Sequence, residues 1–270
     1  MFKATVIIVD YHKAERVLEN VRSLLAQTGG FEIKIIIVDN SVDAKNAEIL
    51  RQLESEKNVK IIINTENLGY PRANNLGARE AEGEYIFIVN PDIVWRESDT
   101  LQKILNYMDA NPQIGVLGPA QKNDGDGSRP LVARAFPRLF LQLARRTFLR
   151  KLPLVSGWVA HDERQDLDVN LTQEVDWLQS SFFVVRRDLW DGLGGFDENY
   201  FLFMADSELC WRAWKNGKKV VYFADTTVYA DGKRCSEGGF LDFFRKQAMR
   251  WHFKDSLRYS LKHLGENKPR

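Results

Sequence analysis

The stretch ATVIIVDYHKAERVLENVRSLLAQTGGFEIKIIIVDN, residues 4–40, decides the fold. It opens on an apolar, β-branched run at 4–9 and closes on another at 33–38. Neither run alternates with polar residues, which marks strands buried on both faces of a parallel sheet. Between them Val17, Val21, Leu24 and Leu25 recur at helical spacing, so the link reads as an amphipathic helix. Strand, helix and parallel strand make a right-handed crossover unit. The same rhythm continues outward. Apolar runs recur at 59–64, 85–89 and 114–118, and the amphipathic stretches EILRQLESE, RANNLGAREAEG and TLQKILNYMDAN lie between them. Residues 1–118 therefore predict an α/β fold, a mostly parallel sheet flanked by helices.

Beyond residue 118 the rhythm breaks. KNDGDGSRP is a turn-rich loop, and RAFPRLFLQLARRTFLRKLP (134–153) mixes arginines with Phe and Leu and carries no acidic residue. VDWLQSSFFVVRRDLW reads as a strand and then a helix starting at Asp188. A Gly-rich turn, an aromatic segment, a helix and a strand follow. Residues 239–264 form a long amphipathic helix or helix pair.

Composition narrows the function. The 270 residues are 44% hydrophobic and 28% charged, as in an ordinary soluble globular protein. A net charge of +1 gives no global field for nucleic acid, which is not an expected partner. The two cysteines, Cys210 and Cys235, form neither a disulfide framework nor a metal finger and fit a reducing compartment. The opening apolar run is too short for a signal peptide, and no stretch approaches the ~18 apolar residues of a spanning helix. These features predict an intracellular, cytoplasmic protein that meets a membrane only at its surface.

Open α/β sheets bind ligands beyond the carboxyl ends of their strands. Asp10 and Tyr11 follow the first strand, Asp39, Asn40 and Ser41 the second, residues 64–67 the third, and Asn90 and Asp92 the fourth. Each alone reads equally well as a turn-former or helix cap. Their recurrence on one edge favours a site. Asp92 is conspicuous, because YIFIVNPDIVW places it between apolar runs and an unpaired buried charge is costly. Rival chemistries lack their motifs: there is no GxGxxG after the first strand, no GxxxxGK[ST], no GxSxG and no HExxH. A nucleotidyltransferase would carry a Gly-rich loop where VDYHKAERV stands.

The motifs, taken in order, resemble family-two glycosyltransferases, the large inverting group with a GT-A-type fold, and most of all bacterial rhamnosyltransferases of cell-surface polysaccharide synthesis. The resemblance runs from Thr5 to Ser236 and rests on VIIVDYHKAERVLENVRSLLAQ, IIIVDNSVD, NTENLGYPRANNLGAREAEGEYIFIVNPD, VDWLQSSFFVVRRDLWDGLGGFDENYFLFMADSELCWR and VVYFADTTVYADG. It implies a GT-A-type Rossmann-like catalytic domain at 1–236, with a nucleotide-sugar half (1–118) and an acceptor half (119–236), and a C-terminal helical extension at 237–270. Asp10 and Tyr11 would flank the nucleotide. Asp39 would accept a hydrogen bond from the base. Asn67, Gly69, Asn74 and Asn90 would line the donor. NPD stands where the family often has Asp-x-Asp, so Asp92 would bind Mn2+ or Mg2+ gripping the donor diphosphate. Asp206, in FMADSELCWR, would be the base that takes the acceptor proton. Trp177, Phe196 and Asp197 would shape the acceptor pocket, although core aromatics are the equal alternative for the first two.

Two departures stand out. Ala205 replaces a usual Glu before the base, and Ala230 replaces a usual metal-binding His, with Asp231 beside it as a substitute oxygen ligand. The missing ligand predicts metal binding weaker than is usual for the family. The implied activity is transfer of a hexose or deoxyhexose, L-rhamnose from dTDP-rhamnose in the first instance, from a dTDP- or UDP-linked donor to a glycan or lipid-linked glycan. The alternative is a degenerate sugar-nucleotide or glycan-binding subunit of an assembly complex. Basic residues beside Phe and Leu at 134–151 and in the terminal helix predict either a peripheral membrane face at the inner leaflet or packing on the catalytic domain or a second subunit, as in a homodimer.

Overall fold

The computed structural model describes residues 2–138, 140–141, 144, 149, 152–164, 167–232 and 247–270. Along the chain run β1 (Phe2–Asp10), α1 (Ala14–Leu25), β2 (Glu32–Asp39), α2 (Ala44–Arg51), β3 (Val59–Ile63), α3 (Tyr70–Ala78), β4 (Tyr85–Val89), α4 (Thr100–Ala110) and β5 (Ile114–Asn123). There follow β6 (Ala133–Arg134), α5 (Pro153–Asp162), β7 (Gln173–Glu174), β8 (Trp177–Leu178), β9 (Phe182–Arg186), α6 (Arg187–Leu193), α7 (Ala205–Lys215), β10 (Lys219–Ala230) and α8 (Gln247–Lys262).

The main sheet has the order β3-β2-β1-β4-β9-β5-β10-β7, and β6 pairs with β8 in a small second sheet. β1 pairs in parallel with β2 and β4, as β2 does with β3 and β5 with β10. The expected mostly parallel sheet with flanking helices is therefore what the chain forms. β9 runs antiparallel between β4 and β5 and joins the two halves.

The apolar runs become two-faced strands because each face has its own core. Val6 and Ile8 pack with Val17, Val21 and Leu24 of α1 and with Leu101 and Ile104 of α4. Ile7 points the other way, into a cluster that includes Ile86, Val185, Leu209, Trp211 and Tyr259. Each fully buried Val or Ile contributes about 1.5–3 kcal/mol, so this patterning outweighs weak local preferences. At Gly77 an added Cβ would lie 2.8 Å from Ile7 Cγ2, so glycine lets α3 press against the sheet.

Candidate active site

Register brings the strand-end carboxylates together. Asp10 and Asp39 are paired positions of adjacent parallel strands, and both are fully buried. Asn46 on α2 ties them, donating from Nδ2 to Asp10 Oδ2 at 2.6 Å and to Asp39 Oδ1 at 3.1 Å. Asp10 also accepts the Lys13 N–H at 2.9 Å, yet burial pushes its carboxyl above the usual range. Asp39 Oδ1 takes a second bond from the Ser41 N–H at 2.9 Å. Asp39 Oδ2 is buried and has no hydrogen-bond partner among the described residues. A buried carboxylate oxygen left bare is costly unless a ligand donor fills it. Beside this pair Tyr11 is 55% exposed at the strand end, its ring meeting His12 edge-on.

The next wall is the turn before α3. Asn67 Oδ1 accepts from Asn40 Nδ2 at 2.7 Å and from the Gly69 N–H at 2.9 Å. Gly69 has φ +77°, and a Cβ there would meet the Phe201 carbonyl oxygen at 2.5 Å. Asn74 donates to the Tyr70 carbonyl, while its own buried Oδ1 has no partner among the described residues.

Asp92 lies just past β4 and is mostly buried. Its neighbour across the site is Asp231, brought there by a bridge between Val94 and Tyr229, whose N–H···O bonds are 2.8 and 3.0 Å. The two carboxyls share a hydrogen bond. The Lys13 ammonium sits against both, 3.3 Å from Asp92 and 3.4 Å from Asp231. Burial raises Asp92, with Asp231 adding to the rise and Lys13 opposing it. The counter-charge for Asp92 is thus present in the chain itself, as a lysine that the strand-end reading passed over. The donor set still suits a hard divalent cation: two carboxylates, with diphosphate and water completing the shell. Ala230 offers only a methyl group, and no third His, Cys, Asp or Glu joins the pair among the described residues.

The carboxylate pair and Asp206 are linked through two serines. The Asn90 N–H donates to Ser181 O at 2.8 Å, because β4 ends where β9 begins. The adjacent Ser180 holds Asp206 Oδ2 through its N–H (3.2 Å) and Oγ (3.3 Å). Asp206 Oδ1 accepts the Ser207 N–H at 2.9 Å. Asp206 stands in the first turn of α7, after Met204, whose φ of +68° makes the sharp entry. Burial drives its carboxyl above the usual range, against the lowering effect of those N–H groups. A raised carboxylate that remains half-buried is suited to proton transfer.

The three residues expected at an acceptor pocket are placed differently. Phe196 is buried among Tyr70, Phe183 and Trp190, in the core and not on a surface an acceptor could reach. Trp177 is also buried, its indole N–H donating to Ala135 O at 2.8 Å. Both side chains are thus buried. Asp197 caps Asn199 and pairs with Lys262 at 2.8 Å, so it braces α8.

With this geometry in place, the sequence pattern of "Glycosyl transferase family 2" matches residues 5–191. The chain belongs to that family. Among its relatives is the N-acetylglucosaminyl-diphospho-decaprenol L-rhamnosyltransferase of Mycobacterium tuberculosis, 28% identical over 208 residues, which are 73% of this chain and 66% of that protein. The Escherichia coli rhamnosyltransferase WbbL is 26% identical over 269 residues, covering 94% of this chain and 91% of WbbL. Among solved structures, the mannosyltransferase PcManGT from Pyrobaculum calidifontis, in complex with GDP-Man and Mn2+, superposes with a TM-score of 0.58 at 15% identity, over 99% of this chain and 77% of that one. That likeness fixes the fold as GT-A. Beside the expected residues the structure also places groups the strand-end reading did not single out: Lys13, Asn46 and Ser180. Lys13 stands just before α1 and Asn46 in the first turn of α2, both outside the runs read as amphipathic, and no spacing rule marks Ser180.

Proposed function

We propose that this family 2 transferase is an inverting, metal-assisted enzyme that moves a hexose or deoxyhexose, L-rhamnose from dTDP-rhamnose in the first instance, onto a glycan or lipid-linked glycan hydroxyl. The observation that carries the reading is the junction at Asn90 and Ser180–Ser181, which sets the Asp92–Asp231 pair and Asp206 on one edge of the sheet. Asp39 Oδ2, bare and buried, is the acceptor for a pyrimidine ring N–H, and Tyr11 offers a face to the base. Asn67, Gly69 and Asn74 shape the donor wall. A divalent ion held by Asp92 and Asp231 would offset the charge of the departing diphosphate. Asp206, steadied by Ser180 and Ser207, takes the acceptor hydroxyl proton as the sugar bond forms. The names of the mycobacterial and E. coli relatives support the rhamnosyl assignment.

The terminal helix supports a peripheral membrane face. Met249, His252 and Tyr259 pack inward, whereas Phe253, Leu257 and Leu261, with Leu264 just beyond, are exposed on one side near Arg250 and Lys254. The inward face packs against the rest of the chain, and the exposed face is the one proposed for a membrane surface. Phe240, Phe243, Phe244, Arg245, Lys246 and Cys235 lie outside the described residues. No described helix is long and apolar enough to cross a membrane. Co-sedimentation with anionic vesicles at low salt, lost at high salt, is the expected result for this face; absence of binding at low salt would end it.

The main reading is tested by thermal shift with dTDP-, UDP- and GDP-sugars in the presence of Mn2+, followed by assay of nucleoside diphosphate release. A pyrimidine nucleotide sugar should raise the melting point by mass action and be consumed. Neither stabilisation nor release with any donor would remove the proposal.

A further inference from the structure

The carboxylate pair expected to meet a metal already holds a cation that belongs to the chain. Lys13 lies between β1 and α1, and its backbone N–H is fixed by Asp10 at 2.9 Å. From that anchor the side chain runs to Asp92 and Asp231, 3.3 and 3.4 Å away. The carboxyl side chains are 10% and 7% exposed, but the lysine side chain is 30% exposed. The carboxylates are therefore held in place, and the ammonium has a way out to solvent. Among the described residues Arg16 also acts on Asp231, and it is engaged by Glu19 at 2.5 Å.

We infer that Lys13 is a tethered competitor of the divalent ion: it closes the Asp92–Asp231 pair while the donor is absent and yields only when metal and diphosphate arrive together. The inference rests on the metal-assisted reading above and deepens it. Its physical basis is charge. A bare divalent ion entering the pair must expel an ammonium from a partly desolvated site, and opposed cations at such separations repel strongly. A donor diphosphate reverses this balance. Its negative charge accepts both cations, the ion at the carboxylates and the displaced ammonium, on a flexible four-carbon stem, at the phosphates. The expected order is thus metal with nucleotide, not metal before it. Weak binding of the free ion then follows from an occupant as well as from the methyl at Ala230.

The test is calorimetric titration of MnCl2 into the full chain, as wild type, Lys13→Met, Lys13→Arg and the double variant Lys13→Met/Asp92→Asn, with and without UDP or dTDP. Melting curves confirm that each variant is folded. Without nucleotide, Lys13→Met should bind Mn2+ about tenfold or more tightly than wild type. Lys13→Arg should resemble wild type, and the double variant should lose the gain. With UDP or dTDP the wild type should close most of the gap. Equal Mn2+ affinity of wild type and Lys13→Met in the absence of nucleotide overturns the role of Lys13, as does a gain that survives Asp92→Asn. If nucleotide still promotes Mn2+ binding in those cases, the metal-assisted reading stands without it. If no form binds Mn2+ even with UDP or dTDP, both fall.

Discussion

The donor edge and the base-bearing half solve the same problem, a buried carboxylate, in different ways. At the donor edge two carboxylates find partners close in sequence, although Asn46 also reaches Asp10 across 36 residues and Asp92 is met by Lys13 and Asp231 from distant stretches. Asp10 is met by Lys13 three residues on, and Asp39 by Ser41 two residues on and Asn46 seven on. In the other half they are distant. Asp206 is held by Ser180, 26 residues away, and Glu208 by Lys262 and His263, 54 and 55 residues away. Asp255 on α8 accepts the N–H groups of Phe201, Leu202 and Phe203, the segment that leads into α7. The Asp10–Asp39 part of the donor edge thus leans on local turns, whereas the segment that leads to Asp206, the proposed base, is organised by a helix near the end of the chain.

The largest effect should come from Asp206, the proposed base. Asp206→Asn keeps the size of the side chain and removes its proton affinity. Turnover should fall by roughly 10²–10⁴-fold, with nucleotide affinity unchanged by calorimetry. Wild-type activity should also show the raised carboxyl. A base is active when ionised, so activity is present above the folded pKa and is lost as pH falls through it. Burial raises that pKa, so the acid limb of kcat/KM should lie above the ordinary carboxylate range. An acid limb at the ordinary value, or an active Asp206→Asn, would separate the base-bearing half from the chemistry.

Next is the long-range anchor. Glu208 is fully buried and meets Lys262 at 2.5 Å, His263 at 2.6 Å and Arg212 at 3.3 Å. Glu208→Ala removes the one carboxylate that these groups converge on. A loss of about 2 kcal/mol is expected, read as a lower urea midpoint, because Arg212 loses its carboxylate while Lys262 keeps Asp197 and His263 keeps Glu266. A midpoint within error of wild type would mean that α8 is held by its apolar packing, Asp255 and the Lys262–Asp197 pair without help from Glu208.

This contrast also explains what could be read before the structure. Periodicity reports local burial, so β1, β2, β4 and the crossover helices were legible, and with them the edge that carries Asp10, Asp39 and Asp92. Asp206 was indicated by the resemblance to family-two transferases. What escaped was pairing at a distance. Nothing in DFFRKQAMRWHFKDSLRYS distinguishes Asp255 from a solvated helix charge until Phe201, Leu202 and Phe203 turn their N–H groups towards it. Phe196 shows the reverse: an aromatic beside a Gly-rich turn suits a sugar pocket or a core equally, and only its contacts with Phe183 and Trp190 decide.

The seam between the regions is Gly69. Its carbonyl and amide neighbours belong to the donor wall, while the Tyr70 N–H donates to Phe201 O at 2.8 Å, on the segment that Asp255 organises. Gly69→Ala forces a side chain into positive φ and against that carbonyl. About 2 kcal/mol of destabilisation is expected, seen as a lower melting point. If Gly69→Ala melts like wild type, the two halves are coupled more loosely than this contact implies.

The smallest effect should fall on the donor edge alone. Asp39→Asn keeps an oxygen for Ser41 and Asn46 but replaces the unpartnered Oδ2 with an amide donor. Stability should stay within about 0.5 kcal/mol, since the local turn survives. UDP affinity should weaken about tenfold, because a base N–H would then face another donor. Inorganic pyrophosphate with Mn2+ supplies the control: it has no base, so its affinity should not change. A loss shared by UDP and pyrophosphate would assign Asp39 to holding the strand ends together, and the bare oxygen would then have to be matched to a different donor group.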